Sequence, residues 1–301
     1  MSEPFFLIAG GVATGTSFLS ALLAKHPEIY LPKLQRPEPN FFHYTHKYQN
    51  GLDWYLNTWF RDVGGQRVIG ERSSLLLPSE NAPARIHRHF PGMKIIFCLR
   101  NPVERAWGNY RFTVLEGLES LPFEEALQQE ERRTAETEGD WREIRPHAYV
   151  ERSRYSACLQ EYFRLFPRKN ILLIKSEAMG ANPSATLKAV CEFLGADSNQ
   201  DLEPPPNYSS PSVVDPVEQK ALRNYFGHKF PLLVEAIRKE EALDSLVLTP
   251  KDQEMIVRLK RNLHDKKEVM SPTARNLLQA ALREEMKNLR MLVDFDIHDW
   301  Q

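Results

Sequence analysis

The chain has 301 residues, 42% hydrophobic and 26% charged, and its 39 Lys and Arg against 40 Asp and Glu leave a formal net charge of -1. That describes a globular protein long enough to bury a core without staples; the charge balance speaks against general nucleic-acid binding, and no apolar run approaches the ~18 residues of a membrane helix. Cys98, Cys158 and Cys191 lack metal-ligand or disulfide-framework spacing, and the opening MSEPFFLIAGG lacks a basic segment and a cleavage site, so a reducing, cytoplasmic location is expected.

Phe5 to Ala9 (FFLIA) is a short continuous apolar run, the pattern of a strand buried on both faces. Gly10 and Gly11 break it. Ser17 to Lys25 then repeats apolar residues at i,i+4 spacing, with Pro27 beyond its end, as a helix does. Val68-Ile69-Gly70 is a weaker strand signal. Lys94 to Leu99 (KIIFCL) is a second buried strand, and Pro102 suits the first turn of the helix that follows, through about Gly117. Glu119 to Pro146 is charge-rich and loosely patterned, which predicts a solvated helix plus loop. Ile171 to Ile174 (ILLI) is a third strand, with a helix over Pro183 to Leu194 after it. Residues 203–216 hold five prolines and read as extended linker. Residues 217–264 and 272–292 look helical and highly charged. Strands alternating with helices predict an α/β fold with a mainly parallel sheet.

Four segments carry chemistry. The first is the turn Gly10-Gly11-Val12-Ala13-Thr14-Gly15-Thr16-Ser17. A strand entering a helix through such a turn gathers backbone N–H groups and the positive end of the helix dipole at one spot, an anion site. Its spacing approaches the nucleotide-binding GxxxxGK[ST], but Thr16 stands in place of the lysine and no Walker-B acid is evident, so a kinase reading is poor. The second is Arg36 to Phe42, where two prolines stiffen Glu38 and two phenylalanines anchor the segment, a setting for a general base. His43, five residues on, competes for that role. The third is Gly70-Glu71-Arg72-Ser73-Ser74. The fourth is Leu99 to Tyr110, in which Arg100 stands at the carboxyl end of a central strand, the rim where open α/β sheets bind ligands. Glu104 and Arg105 read as a surface pair.

Together these segments resemble the sulfotransferases that use 3′-phosphoadenosine 5′-phosphosulfate (PAPS), most closely the heparan sulfate branch and its bacterial relatives. That family's GxxKxGTTxL appears as GGVATGTSFL, its E-x-x-F-F as Glu38 to Phe42, its GxxWY as Gly51 to Tyr55, its E-K-S/T-P as Glu71 to Ser74, and its LRxPxxRxxSxY as Leu99 to Tyr110. The likeness covers about residues 4–195 and 271–301. It implies a P-loop-like three-layer fold, a central, mainly parallel sheet flanked by helices. One domain would span residues 1–301, with about 213–270 a charged helical insertion lacking a clear counterpart. It implies sulfuryl transfer from PAPS, leaving 3′-phosphoadenosine 5′-phosphate (PAP), to a hydroxyl or amine of a small-molecule, lipid or carbohydrate acceptor, without a metal or a nucleic-acid partner. By resemblance Glu38 is the base, Arg72 a cation near the sulfuryl group, Ala13, Thr14, Gly15, Thr16 and Ser17 the 5′-phosphosulfate loop, and Arg100 the 3′-phosphate ligand. Two positions depart from the pattern: Ala13 replaces the loop lysine and Gly108 the 3′-phosphate serine. The departures allow an alternative, a catalytically degenerate member that binds PAPS, PAP or an acceptor without efficient turnover. Arg72, Lys33 and Arg36 are the candidate replacement cations. Trp54, Tyr55 and Trp59 are candidates for an acceptor-side surface, or for packing.

Overall fold

In the computed structural model, residues 5–32, 38–139, 141–205, 211–239 and 248–300 are described. Five strands, β1 (Phe5–Ala9), β2 (Ile29–Tyr30), β3 (Val68–Arg72), β4 (Lys94–Leu99) and β5 (Ile171–Lys175), form one sheet in the order β2-β3-β1-β4-β5. Every pair in it is parallel, with Leu7 opposite Glu71 and Ile8 opposite Ile96. The first helices are α1 (Thr16–Leu23), α2 (Thr45–Tyr48), α3 (Leu52–Trp59), α4 (Ala82–His89) and α5 (Pro102–Leu115). Then come α6 (Phe123–Gln128), α7 (Glu130–Ala135), α8 (Trp141–Ile144), α9 (Tyr155–Leu165), α10 (Ser176–Ala181) and α11 (Pro183–Leu194). The last are α12 (Pro216–Phe226), α13 (Phe230–Arg238), α14 (Pro250–Arg261), α15 (Pro272–Ala281) and α16 (Arg283–Leu292).

The chain divides into two compact units, the first comprising residues 1–105, 152–206 and 281–301. Its sheet has a core on each face, because successive strand side chains alternate. Phe5, Leu7, Ile95, Phe97 and Leu99 face one layer, filled by Tyr55 of α3, Ile86 of α4, Leu159 and Tyr162 of α9 and Leu289 of α16. Phe6, Ile8, Ile96 and Cys98 face the other, filled by Leu22 of α1 and Leu187, Val190 and Leu194 of α11. Helix, sheet and helix make three layers. A fully buried Leu or Phe side chain contributes about 1.5–3 kcal/mol, so the unbroken apolar strands secure the frame.

The second unit, residues 106–151 and 207–280, is mostly helical, with one antiparallel pair, β6 (Ser212–Val213) and β7 (Leu263–His264). The strand β6 and the helix start at Pro216 replace the far end of the expected linker, while residues 206–210 lie outside the described residues. The charge-rich stretch is mostly exposed or half-buried helix and loop, as expected, but two of its carboxylates are buried. Glu119 is buried and accepts from Arg133, Tyr149 and the Ser120 and Leu121 amides, at 2.7–3.0 Å. Glu130 accepts from the Val150 and Glu151 amides. These carboxylates organise short helices and turns by taking donors the backbone would otherwise bury unpaired.

Candidate active site

The carboxyl ends of the parallel strands supply the site, all within the first unit. After β1 the chain must turn in little space. A Cβ on Gly10 would lie 2.5 Å from Thr14 Oγ1 and 2.9 Å from the Cys98 carbonyl, and one on Gly15 would lie 2.5 Å from Met179 Cε. Gly15 has φ 87°, and Ala13, a residue with a Cβ, is also left-handed at φ 69°, a conformation that costs about 1–2 kcal/mol. The loop braces itself through Thr14 Oγ1, which donates to the Gly11 carbonyl at 2.8 Å and accepts the Gly11 amide at 3.2 Å.

The loop's carbonyls are held by residues from other strand ends. Arg100, just after β4, donates through Nη1 to the Ala13 carbonyl at 3.1 Å. Ser176, just after β5, donates to the Thr14 carbonyl. In a trans peptide the N–H opposes the C=O, so the Gly15 amide faces away from Ser176. The first amides of α1 have no carbonyl one turn back, and its N-cap, Gly15, offers no side-chain cap. These donors, with the dipole behind them, form a cradle for an anion.

Beside the loop lies an ion pair. Arg72, the last residue of β3, places Nη1 2.7 Å from Glu38 Oε1 and 2.7 Å from Ser17 Oγ. Both side chains are mostly buried, at 12% and 14% exposed, so the pair is shielded from the screening that weakens surface bridges. The other Glu38 oxygen accepts from the Ser74 amide at 2.7 Å, from Ser74 Oγ at 2.8 Å and from Asn40 Nδ2 at 3.4 Å. Lys47 holds the Glu38 and Pro39 carbonyls at 3.1 and 2.7 Å. The Glu38 side chain therefore meets the glycine loop through Arg72. His43 is buried, with its carbonyl on Arg85. Lys33 and Arg36 lie outside the described residues.

Several neighbours of the candidate site carry no clear signal in the sequence. Arg105 is fully buried rather than a surface residue; its Nε donates to Ser153 Oγ at 2.9 Å and its guanidinium lies 3.6 Å from a Cβ placed on Gly11. Ser176 and Lys47 also went unread; Ser176 had one usable signal, its place directly after an apolar strand. Tyr55 belongs to the core, stacked on Phe41 at 4.4 Å, whereas Trp54 stays 37% exposed. No helix among the described residues is long and apolar enough to cross a membrane, and no group of three or more His, Cys, Asp or Glu among them is placed to hold a metal.

A family model described as "Sulfotransferase domain" matches residues 3–290. The chain belongs to the sulfotransferase domain family. Its fold is that of a sulfotransferase from Alicyclobacillus acidocaldarius, with TM-score 0.70 and 22% identity over 100% of this chain and 99% of that one. Mouse sulfotransferase SULT7A1, solved in complex with PAP, superposes with TM-score 0.50 and 15% identity, covering 97% of this chain and 86% of that one. In sequence the chain is 29% identical over 197 residues to human heparan sulfate glucosamine 3-O-sulfotransferase 6, covering 64% of this chain and 52% of that protein. It thus spans about half the length of that curated relative.

Proposed function

We propose that the chain transfers a sulfuryl group from PAPS to a hydroxyl or amine of an acceptor, with Glu38 as the base. The single observation that carries this reading is the contact of Arg72 with both Ser17 on the glycine loop and Glu38. It joins an anion cradle, a cation and a carboxylate in one place.

PAPS supplies an activated sulfuryl group on an anhydride whose leaving group is PAP. The residues present fit it: the uncapped start of α1 and the close turn at Gly10 and Gly15 offer amides to an anionic end. The amides of Thr14 to Ser17 would hold the phosphosulfate, and Arg100 would use its remaining donors on the 3′-phosphate. Glu38 accepts the acceptor's proton as the new bond to sulfur forms, and the sulfur–anhydride bond breaks in line. Arg72 offsets negative charge that grows as that bond opens, the work that Ala13, with only a methyl group, leaves undone.

A second reading is carried by Ala13 itself: a family member without the loop lysine that binds PAP or PAPS and turns over poorly. Labelled PAPS incubated with a panel of alcohols, amines and glycans, beside PAP titration by calorimetry, separates the two. Transfer to any acceptor supports the enzyme. PAP binding with no transfer, followed by turnover in Ala13→Lys, supports the binding protein. Failure to bind PAP overturns both.

A further inference from the structure

Glu71 is the carboxylate of the Glu71 to Ser74 segment, and the proposed chemistry leaves it unused. It sits on β3, opposite Leu7 of the central strand, and is fully buried. Among the described residues no cation pairs with it. Its Oε1 accepts from Ser73 Oγ at 3.0 Å, and its Oε2 makes no hydrogen bond. Burial pushes its pKa up to about 8, against the pull of Ser73, Tyr55 and Lys47 and with a further push from Glu38. Tyr55 on α3 is raised well above its ordinary value by burial and by Glu71. The groups facing Glu71 are thus Lys47 from α2, Tyr55 from α3, and Glu38 and Ser73 from the site itself. A buried carboxyl in this setting holds its proton at neutral pH.

What Glu71 touches leads to the base. Ser73 Oγ, which donates to Glu71, also receives the Asn40 amide at 2.8 Å. Asn40 has φ 43°, the left-handed region that asparagine enters more readily than other residues with a Cβ, and the hydrogen bond from its amide to Ser73 helps fix the turn there. Asn40 is two residues beyond Glu38, and its side chain donates to Glu38 Oε2. The chain of contacts therefore runs from Glu71 through Ser73 and Asn40 to Glu38, every link within the first unit.

We propose that Glu71 is a positioning residue for Glu38: uncharged, it anchors the Ser73 hydroxyl that fixes the Asn40 turn, and its ionisation disturbs the loop carrying the base. The proposal rests on the reading of Glu38 as the base. An added buried negative charge pulls harder on the Ser73 proton and repels the Glu38 carboxylate across a short, poorly screened path.

The test is NMR titration of the full chain without substrate, following the Asn40 amide and the Glu38 carboxyl carbon from pH 6 to 10. In the wild type both resonances should move with a midpoint of about 8, about nine tenths complete one pH unit higher. Glu71→Gln keeps the acceptor oxygen and the shape but cannot ionise, and should flatten both curves. Ser73→Ala should flatten the Asn40 curve, and Ser73→Thr, which keeps the hydroxyl, should restore it. A general loss of packing would not remove a titration step and return it with a hydroxyl. If Glu71→Gln fails to fold, the Ser73 pair decides the matter alone. A flat wild type, or an Asn40 step that survives Glu71→Gln or Ser73→Ala, overturns the proposal. Turnover does not enter the measurement, so an inactive chain would overturn the enzyme reading and leave this result intact.

Discussion

Both oxygens of Glu38 are engaged, one by Arg72 and the other by Ser74 and Asn40. Replacing it with Gln keeps the shape and removes the basic site. Glu38→Gln should therefore leave PAP affinity intact and slow transfer by about 10²–10⁴-fold, read by single-turnover assay with a working acceptor. Arg72 is argued on charge. Arg72→Ala removes a preorganised contact to the developing anion and should slow transfer by about 10²–10³-fold; a rate equal to the wild type would return the missing cation to an open question. Arg100 sits on the same rim, holding the Ala13 carbonyl, and is proposed for the 3′-phosphate. Arg100→Ala should weaken PAP binding by about 1.5–3 kcal/mol, the range for a hydrogen bond to a charged group, measured by calorimetry. The residue types at these positions were legible from motif order. Their partners were not. That one Arg72 nitrogen meets both Ser17 and Glu38 depends on three segments distant in sequence, a fact no local pattern encodes. Arg105 was misread for a related reason: a charged residue in a helix's first turn ordinarily faces water, and only the buried Ser153 beside it and the glycine loop above it show otherwise.

In β3, Gly70 leaves no room for a side chain. A Cβ on Gly70 would lie 2.4–2.6 Å from the Phe6 ring, which is fully buried against the layer of α1 and α11. Gly70→Ala must push that ring or the strand, and overpacking of this kind typically costs about 1–3 kcal/mol. Denaturant unfolding followed by circular dichroism should show a lower midpoint with an unchanged slope. In the second unit, α14 starts with Thr249 and Asp252 capping each other's backbone, so Thr249→Ala should cost about 1 kcal/mol in the same measurement. The elements easiest to read were those with one physical signature. FFLIA and KIIFCL are strands because both their faces are buried, and Pro183–Leu194 is a helix with Asn182 capping its start and Gly195 ending it. β2 has only two residues and borrows its order from β3, so it carries no signal of its own. The stretch around Glu119 and Glu130 reads as helix plus loop, but its two buried carboxylates are hidden because in composition they look like solvated ones.

At the scale of the whole molecule, stability should depend on pH through the buried Glu71. The folded value for Glu71, about 8, lies above its ordinary value of 4.5. The folded chain therefore keeps a proton that the unfolded chain releases. This contribution is intact below about pH 4.5, declines as pH rises, and is gone by about pH 8. Urea midpoints across that range should fall in the wild type and fall less in Glu71→Gln. Glu119 acts in the opposite sense. Desolvation raises it, but Arg133, the Leu121 amide and Tyr149 together hold it below 4.5, so its contribution is present above that pH and lost on acidification. The strand order carries one more consequence, for biosynthesis. β1 is the centre of the sheet, yet Phe5 pairs with Ile69 and Phe6 with Lys94. On the ribosome FFLIA emerges long before either partner, an apolar segment with both edges unpaired. Sheets assembled from such distant pairs fold slowly. The nascent chain thus passes through a window in which its future central strand has both edges open.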